Sequence, residues 1–254
     1  MVQSQITYSS LTSWHINTGD FMDIHTNIAR YLGGNSTNEG LLPTGRYASF
    51  DYCYNYFQSF REKSSQAELL HPKYIQESCL QIGFYLASWG MFRGKSFLLQ
   101  KSLKYYEPLI NEIANAPAEM WDIDVDSYTD ENIELLLKCD VLINKGLGQG
   151  LTITNTLSTK VMLGVFGNIP AFDRYFRSGL GVNSLSKSTL RIIAAFYTKH
   201  KAAIDTYKIA TIDYHTGGKT HRYYPKAKIV DMIGFIQGGE ASNMKARKAP
   251  RNSR

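Results

Sequence analysis

The sequence predicts a mainly α-helical domain with at most one small β-hairpin. Three observations predict it. Apolar residues recur at helical spacing over most of the 254 residues, capping and breaking residues interrupt them at helix-length intervals, and clean two-residue alternation is rare.

The elements follow in order. Asp20 can cap a first helix running to about Tyr31, and the glycine-rich GGNSTNEG (Gly33 to Gly40) reads as a loop. Ser49 or Asp51 opens FDYCYNYFQSF, whose aromatic positions are dense enough to bury more than one face. Pro72 suits the first turn of HPKYIQESCLQIGFYLASW, which Gly90 and Gly94 break before SFLLQKSLKYYEPLINEIAN resumes as helix. Thr129 or Asp130 begins ENIELLLKCDVLINK, which KGLGQG ends, and Asn155 or Thr156 begins TLSTKVMLGVFG. Pro170 is expected to open the helix containing Asp173. Ser186 caps STLRIIAAFYTKHKAAIDTYKIA, and Pro225 opens KAKIVDMIGFIQ. Between them, Gly217 and Gly218 suit the turn of a hairpin in IDYHTGGKTHRYY. Residues 1–240 therefore read as one helical domain, with a two-lobed arrangement around a cleft left open. Residues 241–254 carry five basic residues and no apolar pattern, as a solvated tail does.

Composition narrows the function classes. Lys plus Arg number 28 against 22 Asp plus Glu, a net charge of +6 that favours anionic partners such as nucleic acid. Cys53, Cys79 and Cys139 are far apart and lack C-x-x-C spacing, so neither a disulfide framework nor a zinc site is indicated. The six histidines, from His15 to His221, show no ligand spacing, and no metal or cofactor is expected. The acids of WDIDVDSYTDE (Trp121 to Glu131) read as a solvated loop with a cap, with Mg²⁺ binding as the alternative. MVQSQITYSS lacks the basic and apolar regions of a signal peptide, and no apolar run reaches the roughly 18 residues of a membrane span. The expectation is a cytoplasmic monomer that does not enter membranes.

One arrangement points to chemistry. A glycine-interrupted turn, KGLGQG, precedes a short helix bearing Lys160, and IPAFDRYF with Asp173 follows. Glycine N–H groups in such a turn can form a phosphate-binding nest, with Lys145 adding charge. An acid one turn after a proline is also what the exposed N–H groups of any helix start attract, and glycines after LINK are ordinary helix termination. Upstream, FYLASWGMFRGKSF (Phe84 to Phe97) joins aromatic residues and two cations to a helix break. Most such aromatics belong to a core.

Taken together, residues 140–180 resemble the helix-hairpin-helix DNA glycosylase superfamily. The resemblance implies a helical glycosylase-like domain with a helix-hairpin-helix-like element, acting on DNA without a cofactor to leave an abasic site. It implies Asp173 as the catalytic carboxylate and Lys160 as a candidate amine for lyase chemistry. DNA backbone contacts would come from Lys145, Gly146, Gly148, Gly150, Arg93, Lys95 and Arg174, and a base pocket from Trp89, Phe92 and Tyr85. YLASWGMFRGKSFLLQK and LGVFGNIPAFDRYF also look like phage-defence glycosylases that remove glucosylated hydroxymethylcytosine, which would require a wide, polar pocket. A carboxylate suits the chemistry because N-glycosidic cleavage passes through an oxocarbenium-like sugar that negative charge stabilises. An amine could instead attack C1′ and form a Schiff base if its surroundings keep some of it neutral. The alternative class is a non-enzymatic helical nucleic-acid-binding or interaction module, in which Asp173 only starts a helix and Lys160 is a solvated lysine.

Overall fold

In the computed structural model, which describes residues 22–33 and 40–248, the chain is mainly helical with one two-stranded antiparallel sheet. The helices are α1 (Ile24–Gly33), α2 (Ala48–Glu62), α3 (Ile75–Ser88), α4 (Glu107–Ala114), α5 (Asp130–Gly148), α6 (Asn155–Val165), α7 (Arg174–Leu180), α8 (Lys187–Ile204) and α9 (Lys226–Lys248). The strands β1 (Ala210–Ile212) and β2 (Lys219–Tyr223) form the hairpin expected around Gly217. The expected cap at Asp20 and most of the GGNSTNEG loop lie outside the described residues. No helix of the described residues is long and apolar enough to cross a membrane.

Several boundaries follow local chemistry. Thr129 and Ser186 cap α5 and α8 by accepting from Asn132 N–H and Thr189 N–H, each at 3.2 Å, the arrangement that pairs an otherwise unsatisfied helix donor. Gly90, just past the end of α3, and Gly94, in the turn that follows, have positive φ, 75° and 59°, as the expected break requires. Other boundaries moved. Residues 97–106 are two short 3-10 turns and not the start of a long helix. Pro108 explains this: it cannot donate to a carbonyl one turn back, so the α-helix begins at Glu107 with the proline in its first turn. Pro72 lies in a turn, and α3 starts only at Ile75. At the other end, α9 runs on to Lys248, past residue 241 where a tail was expected.

Helix α2 buries residues on several faces, among them Phe50, Asp51, Tyr54, Phe57 and Gln58, because α3, α6 and β1 all pack against it. Helix α6 is the most enclosed, with every residue from Leu157 to Val165 buried. Two acids link distant segments. Asp124 accepts from Lys226 and Ala227 N–H, both at 2.7 Å, so an acid expected in a solvated loop instead caps α9. Asp51 accepts from Tyr224 O–H at 2.6 Å and Ile212 N–H at 2.7 Å, tying α2 to the hairpin.

Burial pushes the Asp51 carboxyl up to about 7, against the pull of those hydrogen bonds and of Lys228. Between the unfolded value of about 3.9 and this raised one, the folded chain holds a proton that the unfolded chain has lost. Stability contributed by this group is therefore present at low pH and declines as pH rises through that window. Asp51→Asn is expected to flatten this decline, read as the difference between urea midpoints at about pH 5 and about pH 8. An unchanged difference would assign the pH dependence to other groups.

Candidate active site

The backbone between α6 and α7, residues 167–173, is an irregular strap, buried from Gly167 to Phe172. Pro170 belongs to this strap and opens no helix: a proline favours extended backbone before it and leaves no N–H to satisfy in the interior. Side-chain hydrogen bonds tie the strap to its neighbours. Asn168 donates to Met120 C=O at 2.9 Å, and Tyr128 O–H donates to Asn168 C=O at 2.7 Å. Ala171 N–H donates to Asp231 Oδ1 at 3.0 Å, and Phe172 N–H to Thr159 Oγ1 at 2.8 Å. Thr156 O–H donates to Phe172 C=O at 2.8 Å. The strap is thereby fixed from α5's approach, α6 and α9 at once.

It delivers Asp173 as the N-cap of α7. Oδ1 accepts from Tyr175 N–H and Phe176 N–H, both at 2.9 Å. That leaves Oδ2, which faces Lys160 Nζ at 3.4 Å. The division of labour is specific: one oxygen starts the helix and the other serves an amine. The separation is longer than the roughly 2.7–2.9 Å of a tight charge-assisted bond. Lys160 projects from the enclosed α6 with its side chain only 3% exposed, whereas the Asp173 side chain is 17% exposed. Lys160 is thus not a solvated lysine. Burial pushes its amine below the usual lysine range, opposed by the attraction of Asp173 and Asp231 and assisted by repulsion from Lys228.

Aromatic rings form the wall beside this pair. Lys160 Nζ lies 5.0 Å from the centre of the Trp89 ring, within cation–π range. Tyr47 stacks parallel to Trp89 at 5.4 Å and 2°, and Phe235 meets it edge-on at 5.9 Å. The exposed Arg46 places its guanidinium 5.3 Å from the same ring. The expected pocket residues divide. Trp89 is half-buried at the pair, Phe92 packs its half-buried ring on the core, and Tyr85, 2% exposed, is enclosed and presents no face for stacking.

The expected phosphate nest is corrected. Lys145, Gly146 and Gly148 are the last turn of α5, so they do not form a loop of free N–H groups. Gly146 is there for packing: a Cβ would sit 2.7 Å from Leu109 Cα of α4. Lys145 turns to Glu112 at 2.7 Å. Only Gly150, with φ of 92°, lies in the turn to α6. Arg93, Lys95 and Arg174 are exposed; Arg174 lies over the Tyr175 ring and donates to its hydroxyl at 2.8 Å.

The sequence reading missed Lys228 and Asp231. Lys228, 1% exposed, pairs with Asp231 at 2.9 Å and donates to Tyr31 O–H at 3.0 Å. Its Nζ lies 5.2 Å from the Trp89 ring centre, beside the Phe50 and Tyr31 rings. A lysine and an acid three apart inside the apolar run AKIVDMIGF were the available signal. Among the described residues, no group of three or more His, Cys, Asp or Glu is arranged to hold a metal ion. A separate open groove of about 810 Å³ lies between α2, α3 and the hairpin turn, lined by Tyr52, Tyr56, Lys73 and Tyr214, and includes neither Lys160 nor Asp173. No protein-family model, no curated protein and no solved structure matches this chain.

Proposed function

We propose that the protein is a DNA glycosylase that excises a modified base, with glucosylated hydroxymethylcytosine of phage DNA as the first substrate to test. The reading rests on one observation: a buried amine, Lys160, faces the uncommitted oxygen of a fixed carboxylate, Asp173, beside the Trp89 ring. A carboxylate held without freedom to reorganise is suited to stabilise positive charge developing at C1′. Its partial exposure keeps it reachable. The half-buried Trp89 would border an extruded base, and the exposed cations Arg46, Arg93 and Arg174 would meet phosphate. Net positive charge supports the same partner.

One observation favours the rival, a non-enzymatic nucleic-acid-binding module: Asp173 caps α7, a sufficient structural reason for an acid there. The two part on chemistry. Purified protein incubated with unmodified DNA and with glucosylated, hydroxymethylated DNA is expected to release base and leave abasic sites in the modified substrate. Binding to both without base release from either would establish the module. Borohydride added during the reaction separates amine attack, which leaves a covalent protein-DNA adduct, from hydrolysis, which leaves none.

A further inference from the structure

The Lys160–Asp173 pair does not stand alone. A second buried lysine-carboxylate pair, Lys228–Asp231, reaches the same indole ring, the two Nζ atoms lying 5.0 and 5.2 Å from its centre. Two ammonium groups enclosed to 3% and 1% exposure beside one ring are costly to bury. Capping and core filling explain neither. Asp231 also uses both oxygens: Oδ2 holds Lys228 and Oδ1 holds Ala171 N–H, two residues before Asp173.

We propose that Lys228 and Asp231 are a positioning pair for Lys160 and Asp173, Lys228 as a second positive charge beside the Lys160 amine and Asp231 as the clamp on the strap that presents Asp173. The proposal rests on the glycosylase reading and extends it to amine chemistry. In the step served, the neutral Lys160 amine forms a bond to C1′ while the bond from C1′ to the base nitrogen breaks. The base leaves with the bonding pair and takes a proton from solvent. The new ammonium passes a proton to Asp173, which returns it to O4′ as the C1′–O4′ bond opens, leaving an iminium. A nearby cation disfavours the protonated amine and so raises the fraction able to attack. The charged and titratable groups around Lys160 are Asp173 at the start of α7, Lys228 and Asp231 on α9, and Tyr85 on α3, with Arg46 across the Trp89 ring. Among them Lys228 and Arg46 are the positive ones, and Lys228 is the enclosed one.

The test follows Lys160 Nζ directly by NMR in lysine-labelled whole protein, alongside the pH profile of borohydride trapping on modified DNA. In the wild type, Lys160 is expected to titrate below the exposed lysines. Lys228→Met should move both the Lys160 titration and the trapping profile to higher pH by about one unit, a tenfold loss of neutral amine at a fixed pH below the transition. Lys228→Arg, which keeps the charge, should restore both. A wild-type Lys160 that titrates with the exposed lysines overturns the proposal even if Lys228→Met does not fold. So does a folded Lys228→Met in which the Lys160 titration is unmoved. A titration that moves as expected, in a protein that neither releases base nor traps, upholds the coupling and sinks the glycosylase reading instead.

Discussion

Asp173→Asn is expected to abolish most base excision, with a loss on the order of 10³ in the single-turnover rate, while α7 still forms. Asparagine caps a helix about as well as aspartate, so Oδ1 can still accept from Tyr175 and Phe176 N–H. What disappears is the negative charge at Oδ2. Lys160 then loses its nearest counter-ion inside the core, and removing one partner of a buried pair costs up to about 3–5 kcal/mol. The cost should be pH dependent. With its amine depressed further in the variant, the folded chain gives up a proton that the unfolded chain keeps up to about pH 10.4, so the variant's stability rises with pH across that window. Urea midpoints separate this from the catalytic loss: a variant recovering stability at higher pH without recovering activity has lost chemistry, not fold. Full activity in folded Asp173→Asn would remove the carboxylate from the mechanism. Asp173→Ala should additionally lose the cap, costing about 1 kcal/mol more.

That contrast also shows how far the sequence reaches. Thr129, Ser186, Gly90 and the Gly217 turn were legible because each acts within a few residues of itself, through a hydroxyl on a nearby N–H or a backbone that needs positive φ. Asp173 was legible for the same reason, as an acid at a helix start. KGLGQG does end α5, as read, but not as a phosphate nest: Gly146 and Gly148 still belong to the helix, and the close approach of Leu109 gives Gly146 a packing role that no local pattern shows. The Lys160–Asp173 contact was accessible as two residues in order, but the burial that depresses the amine, and the added charges of Asp231 and Lys228 on a helix more than fifty residues away, were not. The strap was hidden likewise, since its partners Met120, Tyr128, Thr159 and Asp231 meet only in three dimensions.

The largest stability effect is expected where α7 crosses α9, because that crossing has no room for a methyl group. A Cβ on Gly238 would sit 1.8 Å from Tyr175 C=O, and one on Gly179 2.1 Å from Gly234 C=O. On Gly234 it would meet Leu180 and Phe176 at 2.5 and 2.7 Å. Backbone on both sides of the first two contacts means that no side chain can rotate away, so Gly238→Ala must part the helices. Overpacking in a close-packed interior costs about 1–3 kcal/mol and more when backbone is displaced. The upper end or beyond is expected here, read as a fall in the urea midpoint, despite alanine's better helix propensity of about 1 kcal/mol. The displacement falls on the helix that Asp173 caps and whose Tyr175 ring packs on Phe235 at 5.3 Å. Phe235 in turn meets Trp89 edge-on. Gly238→Ala should therefore slow base excision even where enough protein remains folded, through a carboxylate moved from Lys160 and not through lost charge. Gly239→Ala is the control, since a Cβ there meets nothing within 4 Å; it should leave both stability and excision intact. Equal behaviour of the two variants would show that the α7–α9 crossing yields easily and does not hold Asp173 in place.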